Sequence, residues 1–252
     1  MAIITLSKMA FNGAGGLAQQ ISALLDYRLI SRDDIVEKTA QYGISKERRD
    51  RARSRRLGML RPMDIGWKHY LIYSRAALTK EIRKGSLVYL GANGMSIFRG
   101  FPNVLNVQVC TDIEHRIDNL MKRAEYVLNR KKARRLIEKV DDRDAKWRNT
   151  LYGDIQMHPS EFDLVIELSQ MGIADACDLI RDTLEQQEYQ TNYKSLEIID
   201  LLTVAAELRA RIAMRDDVID DDIDVAVRDG VIVVNGSVRS IEDLNGIKEL
   251  ID

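Results

Sequence analysis

The sequence predicts an α/β protein, a parallel sheet with helices on both faces, followed by a small C-terminal α+β unit. Three observations predict it. Short apolar runs closed by glycine or turn residues alternate with segments of helical period, the pattern of buried strands joined by crossover helices. A small-residue cluster, Gly13-Ala14-Gly15-Gly16, joins the first apolar run to the first helical one. Near residue 190 a polar stretch intervenes, and beyond it the chain reads helix, hairpin, helix.

In chain order, Ile3-Ile4-Thr5-Leu6 is the first strand, and Leu17, Ile21, Leu24 and Leu25 then recur on one helical face. Ser31 caps the next helix, with Asp33 and Asp34 in its first turn. Residues 46–56 carry seven basic residues against two acidic ones. On a helix these charges surround the cylinder, so the run reads either as a solvated helix or as a phosphate- or nucleic-acid-facing surface. Arg61-Pro62 breaks it, and a longer helix runs from Trp67 to Lys84 and closes at Gly85. Leu87-Val88-Tyr89-Leu90, ended by Gly91, is too short for a helix and reads as a buried strand.

After an Asn93-Gly94 turn, Val104 to Val109 is a third strand. Thr111 and Glu114 have capping-box spacing for a helix through Arg123. A second basic block, Arg130, Lys131, Lys132, Arg134 and Arg135, lies on a helix reaching Val140. Phe162 to Ile166 is a fourth strand, and Ser169 leads into a helix that runs to about Glu188. The glycine cluster, Gly91-Ala92-Asn93 and Thr111-Asp112 all follow strand ends, which places them to share one cleft.

The expected division is a first domain over 1–188, a linker over 189–196 and a second unit over 197–252. In the second unit Ile198, Leu201, Leu202, Ala205, Leu208 and Ile212 form one helical face. Ile223, Val225 and Val227 alternate with polar or small residues, Asp229-Gly230 makes a two-residue hairpin turn, and Ser240 opens a short helix. About 55 residues is marginal for an independent fold, so this unit is expected to lean on the first domain or on another copy.

Composition narrows the function classes. The chain has 252 residues, 45% of them hydrophobic, and a net charge of −1. A core is available, and the balanced charge argues against a dedicated nucleic-acid binder. No apolar run is long enough to span a membrane. Two cysteines, Cys110 and Cys177, cannot form a disulfide framework and read as buried thiols. With no secretory signal pattern at the N-terminus, a cytoplasmic protein is expected. His69, His115 and His158 share no metal-ligand spacing, and the acids from Asp216 to Asp224 lack the pattern of a calcium loop. No metal ligands are assigned. Trp67 and Trp147 read as core or interface residues before base-stacking ones.

The loop itself carries the most chemistry. Strand, small-residue loop and helix in this order build a phosphate cradle, because loop amides and the helix N-terminus both present positive charge. The full phosphate-loop template ends Gly-Lys-Ser/Thr, the lysine reaching outer phosphates and the hydroxyl binding magnesium. Aligned on Gly15, the template puts Ala10 at the first glycine, Gly16 at the lysine and Leu17 at the hydroxyl. Candidate nucleotide-binding residues are therefore Asn12, Gly13, Ala14, Gly15 and Gly16. Lys8 reads either as a substitute ammonium or as a solvated loop lysine.

Three segments together resemble the cytidylate kinase-like branch of the P-loop nucleoside monophosphate kinases: Ile3 to Ser7 with Gly13 to Gly16 and Tyr27 to Ile35; Gly85 to Gly91 through Pro102 to Val109 and Arg116-Ile117; and Asp141 to Trp147 through Leu151-Tyr152-Gly153 to Ile166. The resemblance covers roughly residues 1–185 and implies a nucleotide-binding loop, a helical insertion for the monophosphate acceptor and a basic lid. It casts Arg130 and Arg134 as lid residues and Arg143 as a further catalytic arginine, beside Lys8, and puts Arg48, Arg49 and Arg53 in the acceptor-binding insertion. ATP or another nucleotide, with magnesium, is the implied cofactor. The branch often carries Gly-x-Gly-Gly in place of Gly-Lys-Ser. It usually has an arginine where Ala92 stands here.

Residues 198–252 resemble a BON domain in the run Ile223 to Val238, a pattern that in the family continues with one more strand. This resemblance implies a sensing or oligomerising module and a homo-oligomer or protein partner. The expectation is a protein with a degenerate phosphate loop that binds a nucleotide or phosphorylated ligand; the alternative is an active nucleoside monophosphate kinase transferring the γ-phosphoryl group of ATP.

Overall fold

A computed structural model describes residues 2–54, 65–91, 94–123, 129–152, 159–215 and 223–251. Arg55, Arg56, Arg61-Pro62, Ala92-Asn93, Gly153, His158 and Asp216 to Asp222, all discussed above, lie outside the described residues.

The chain begins β1 (Ile3–Leu6), α1 (Ala14–Leu25), β2 (Arg28–Ser31), α2 (Arg32–Lys38), α3 (Lys46–Ser54) and α4 (Ile65–Ile82). It continues β3 (Leu87–Leu90), α5 (Gly94–Ile97), β4 (Val104–Cys110), α6 (Ile113–Arg123) and α7 (Arg130–Tyr152). Then follow β5 (Leu164–Glu167), α8 (Ile173–Leu184), α9 (Tyr193–Ala213), β6 (Asp224–Arg228), β7 (Val231–Asn235) and α10 (Ile241–Ile251). Strands β1 to β5 form one sheet in the order β2-β3-β1-β4-β5, with every pairing parallel. The predicted fold class is therefore the observed one, with β6 and β7 as a separate antiparallel pair.

Strands β1 and β3 are buried at every position, because helices cover both faces, as parallel sheets require. On one face Ile4, Leu6, Leu105 and Val107 pack with Leu17 and Ile21 of α1 and Ile180 of α8. On the other, Ile3, Leu87 and Tyr89 meet Tyr73, Ala77 and Ile82 of α4 and Ile199, Ala206 and Ala210 of α9. Strands β1 and β3 end level, Leu6 opposite Leu90, while β4, whose Val107 also stands opposite Leu6, runs on to Cys110.

Several elements differ from the sequence expectation. The sheet has a fifth strand, β2, at its edge, where only Ile30 is buried. The cap of α6 is Asp112, not Thr111: the Asp112 carboxylate accepts from the His115 amide at 2.8 Å. Helix α7 does not stop at Val140 but runs to Tyr152, since no glycine or proline interrupts it. Helix α8 ends at Leu184, before a short 3₁₀ turn over Gln187–Tyr189. In that turn Tyr189 is buried against the α1/α8 face of the sheet, and Asn103 donates to the carbonyls of Glu188 and Gln190.

Helix α9 has two apolar faces rather than one. Ile199, Ala206 and Ala210 enter the sheet's core, while Leu208 and Ile212 join Ile223, Ile232, Val234 and Ile247 in a second small core under the hairpin and α10. The Tyr73 hydroxyl donates to the Ala213 carbonyl at 2.8 Å, fixing the end of α9 against α4. The hairpin turn is as predicted: Asp229 and Gly230 both have positive φ, 49° and 78°, the geometry that matches strand twist. Ser240 caps α10 reciprocally with Asp243.

Candidate functional site

The site begins where β1 ends. Ser7 continues the ladder to β4, its amide donating to Val107 and its hydroxyl accepting from the Val109 amide at 2.9 Å. The chain then turns through left-handed Phe11, φ 60°, and Gly13, φ 85°. Between them Asn12 is buried, its amide donating to the Val109 carbonyl at 2.8 Å and its carbonyl accepting from the Ala14 amide at 3.2 Å. Both polar atoms of Asn12 are thus used, one to pin the loop to β4 and the other to close a turn onto the first residue of α1. In place, Asn12 shapes the cradle rather than lining it.

The two outer glycines of the cluster face protein. A Cβ on Gly13 would stand 3.0 Å from Leu168 Cδ1, and one on Gly16 would stand 3.3 Å from Ile173 Cδ1. Gly15 faces open space, with no atom within 4 Å of its missing Cβ. The Gly16 and Leu17 amides turn back on the Gly13 carbonyl, while the Gly15 amide has no protein acceptor among the described residues. The loop therefore offers an amide, an approach free of side chains and the positive end of a twelve-residue helix. Lys8 is exposed on the same loop.

One residue that the sequence analysis left without a role ties this loop to its surroundings. Arg116 of α6 is buried; its Nε donates to the Ala10 carbonyl at 2.8 Å and its Nη2 meets Asp141 Oδ1 of α7 at 2.7 Å. Asn119 donates to the Phe11 carbonyl at 3.0 Å, and Phe11 packs with Ile117, Leu120 and Ile137 between α6 and α7. A signal existed: Arg116 sits beside Ile117, on the apolar flank of an otherwise charged helix.

The expected lid residues are engaged elsewhere. Arg130 bonds Glu114 and Asp118 of α6, each at 2.6 Å, and Arg134 bonds the other oxygen of Glu114. Among the described residues, Lys131, Lys132 and Arg135 form no ion pair and are exposed. Arg143, half exposed, lies 3.4 Å from the buried carboxylate of its neighbour Asp144.

The expected acceptor arginines lie on α3. Arg49 and Arg53 both bond Glu37, and Arg49 also donates to the Ile44 carbonyl. Arg48 is exposed, with no side-chain bond among the described residues. Arg32, which sequence reasoning passed over, donates to the Ala52 carbonyl and lies 5.4 Å over the Trp147 ring. Trp147 is buried edge-on to Tyr70, so the far end of α7 is packed into the helical insertion, as its interface reading expected. On β4, Gln108 Oε1 is buried with no partner among the described residues. By strand alternation Gln108 shares its face with Asn106 and Cys110.

The cradle fits a phosphate group. It does not fit magnesium in the manner of the full template, because the residue at the hydroxyl position is Leu17, fully buried in the core. No group of three or more His, Cys, Asp or Glu side chains placed to hold a metal occurs among the described residues. Nor does any described helix have the length and apolarity to cross a membrane.

A parallel five-stranded sheet, a glycine loop between β1 and α1, and a helical pair packed against that loop define a kinase-like α/β fold. The sequence pattern of the cytidylate kinase-like family matches residues 3–170, and the chain belongs to that family. Among solved structures, an uncharacterised protein from Eubacterium ventriosum is similar in fold, with TM-score 0.57 and 16% identity over 73% of this chain and 98% of that one. Shikimate kinase from Bacteroides thetaiotaomicron aligns with TM-score 0.44 and 11% identity, over 73% of this chain and 99% of that one. No curated protein matches the sequence.

Proposed function

We propose that this protein binds a nucleotide or other phosphorylated ligand at the glycine loop, through a degenerate phosphate site, with its C-terminal unit acting as a BON-like regulatory or assembly module. The observation that carries this reading is the Gly15 amide, open at the N-terminus of α1 within a loop whose lysine position is Gly16 and whose hydroxyl position is buried Leu17. A cradle of this kind holds phosphate oxygens through amides and dipole. It lacks the cation and metal ligand that phosphoryl transfer uses to spread charge, each such group being worth about 3 kcal/mol of barrier. ATP is the first nucleotide to test, with and without magnesium. The proposed setting is the cytoplasm, and the proposed partner of the C-terminal unit is another protein or a second copy of this chain.

The second reading is an active nucleoside monophosphate kinase. It is favoured by the basic first turns of α7, where Lys131, Lys132 and Arg135 remain unpaired among the described residues beside Arg130 and Arg134. In this reading those arginines and Arg143 surround the transferring group, Lys8 replaces the loop lysine, and Arg48, Arg49 and Arg53 hold the acceptor.

A coupled assay over a panel of monophosphates with ATP and magnesium, beside calorimetry on the same ligands, separates the two. Saturable binding without turnover supports the first reading. Turnover abolished by Arg134→Ala or Arg143→Ala supports the second. Gly15→Asp puts a carboxylate into the open approach, so affinity unchanged by that substitution sinks both.

A further inference from the structure

The antiparallel pair of β6 and β7 has two outer edges, and they differ. Among the described residues no third strand joins either one. Strand β6 carries Asp224 and Arg228, and its residues line a crevice walled by α4 and α5. Strand β7, Val231-Ile232-Val233-Val234-Asn235, has no charge and no proline, and its register with β6 has no bulge. It therefore lacks the features that normally protect an edge. The hairpin fixes which of its groups are open. A two-residue turn makes Arg228 and Val231 a hydrogen-bonded pair, and alternation makes Ala226 and Val233 the next one. The N–H and C=O groups of Ile232 and Val234 thus point away from β6, and they have no partner among the described residues. Beside them lies a groove of about 560 Å³ between α4, α9, β7 and α10. Ile232 and Val234 are only partly covered there, and Val204 and Ile251 on its walls stay 51% and 52% exposed. The charges at its rim compensate one another, since Lys80 and Arg211 share Glu207 and Arg83 pairs with Asp200. What the groove fits is apolar side chains carried on an extended backbone.

We propose that the open edge of β7 pairs with β7 of a second copy of this chain, antiparallel, about a two-fold axis through Val233. The proposal rests on the reading of the C-terminal unit as an assembly module and names its partner. In this register Ile232 stands opposite the partner's Val234, and Val234 opposite the partner's Ile232. Each such pair joins two open residues, so both of its N–H···O bonds form. An axis through Ile232 or Val234 would instead leave one open residue facing Gly236 or Gly230, outside the strand. The strand carries no charge, so identical copies meet without the repulsion that opposed like charges impose. The two-fold axis preserves the faces of the sheet, so the partner's Ile232 and Val234 hang over the groove. The contact is the same from both sides and closes at four strands, with β6 at each end. A five-residue strand pair is small beside the roughly 1,200–2,000 Å² of a stable interface, so the expected dimer is weak and reversible.

The test is sedimentation of the full chain from low micromolar to near-millimolar concentration, where reversible dimerisation is expected. Val233 lies on the face of β7 turned away from α9 and meets its own copy on the axis. Val233→Lys and Val233→Glu each oppose two like charges there, and each should weaken dimerisation by about tenfold or more. Mixed in equal amounts, the two variants should associate again. If the charged variants fail to fold, Val233→Cys decides. Residues opposed on the axis lie within disulfide reach, so mild oxidation should cross-link this variant. Val231→Cys, which the register sets opposite Asn235, should cross-link no more than the native chain with Cys110 and Cys177. A mixture of charged variants that stays monomeric, or cross-linking no greater at 233 than at 231, would overturn the proposal. Dimers indifferent to both charges would overturn the β7 site and leave the assembly reading standing. Monomers at every concentration would overturn the site together with the second-copy form of that reading.

Discussion

Arg116 and Asp141 meet at 2.7 Å across the α6–α7 pair, and the same guanidinium holds the carbonyl of Ala10 in the glycine loop. One buried side chain thus joins the glycine loop to the helix that carries the expected lid residues. Breaking a buried pair strands the remaining charge, but Asp141 is a third exposed and hydrates readily. Arg116→Ala is therefore expected to lower stability by about 2–3 kcal/mol, at or below the low end for buried pairs. Arg116→Lys keeps the charge but cannot span both acceptors. It should lose less stability while still weakening nucleotide binding. Urea midpoints and calorimetry on the two variants check this; equal affinity in Arg116→Lys and the native chain would show that the strut does not position the loop.

The neighbouring glycines should separate folding from binding. Gly13 has φ 85° and would place a Cβ 3.0 Å from Leu168, so Gly13→Ala should cost about 1–3 kcal/mol through backbone strain and crowding. Gly15 lies in the first turn of α1 with open space beside it, so Gly15→Ala should leave stability unchanged or raise it by up to about 1 kcal/mol. Its methyl would stand where phosphate approaches, and ligand affinity should fall. Thermal unfolding paired with ligand titration tests the split. A Gly15→Ala protein that loses stability and keeps full affinity would contradict it.

The division between what could and could not be read from the sequence follows from contact range. Strands β1 and β3 were legible because helices bury both their faces, which leaves nearly unbroken apolar runs, and β4 because buried apolar residues alternate along its seven positions. Strand β2 was not: at the sheet edge it needs only Ile30 as an inward residue, and its last residue is also the cap of α2. The loop was legible as a glycine cluster after a strand. The use of Asn12 was not, because its partner Val109 lies on a strand about a hundred residues away. Arg116 reads locally as one more charge on a polar helix, and only its meeting with Ala10 and Asp141 makes it structural. The basic blocks were visible, but the carboxylates that occupy them, Glu37 for α3 and Glu114 for α7, come from other elements.

Glu81 gives a pH-dependent prediction. This carboxylate at the end of α4 is buried, and it bonds Arg28 of β2 at 3.0 Å, Lys38 of α2 at 3.0 Å and Lys84 at 2.8 Å. Burial by itself raises its pKa, but the bonds from Lys84 and Lys38 outweigh burial and hold it below the ordinary range. A depressed folded pKa means stability that is present above the unfolded value, about 4.3, and lost as pH falls through the folded one. All three cations are more than a third exposed, so solvent screening keeps the effect small. The native chain should exceed Glu81→Gln by about 1–2 kcal/mol at neutral pH, and the gap should close in acid. Denaturant melts from pH 7 to pH 3 measure it; a gap that widens in acid would reverse the assignment.

Glu207 of α9 accepts from the Tyr42 hydroxyl at 2.9 Å and pairs with Lys80 of α4 at 2.8 Å. Tyr42 stands just before the arginine-rich helix α3 and stacks on Tyr73, so this cluster links α9 to the expected acceptor region. Tyr42→Phe keeps the stack and removes one bond, a loss of about 1 kcal/mol. Hydrogen exchange should then rise in α9 as well as around Tyr42. Exchange that rises only around Tyr42 would show that the two regions are not coupled.

Glu114 yields the sharpest test of the lid. It holds Arg130 and Arg134 together against α6, where a working lid would bring them to phosphate. All three side chains are about half exposed, so each pair is weak, about 0.2–1 kcal/mol. Glu114→Gln should therefore change stability little. If the arginines act on a loop-bound phosphate, Glu114 competes with that phosphate, and removing its charge should tighten nucleotide affinity by up to about fivefold per pair released. The gain should shrink with added salt, as exposed charge effects do. In the double variant Glu114→Gln with Arg134→Ala it should be largely lost. Calorimetry at two ionic strengths distinguishes the outcomes: a gain that depends on Arg134 makes α7 a mobile lid held back by α6, whereas unchanged affinity makes the α6–α7 ion pairs a permanent clasp and leaves phosphate to the loop alone.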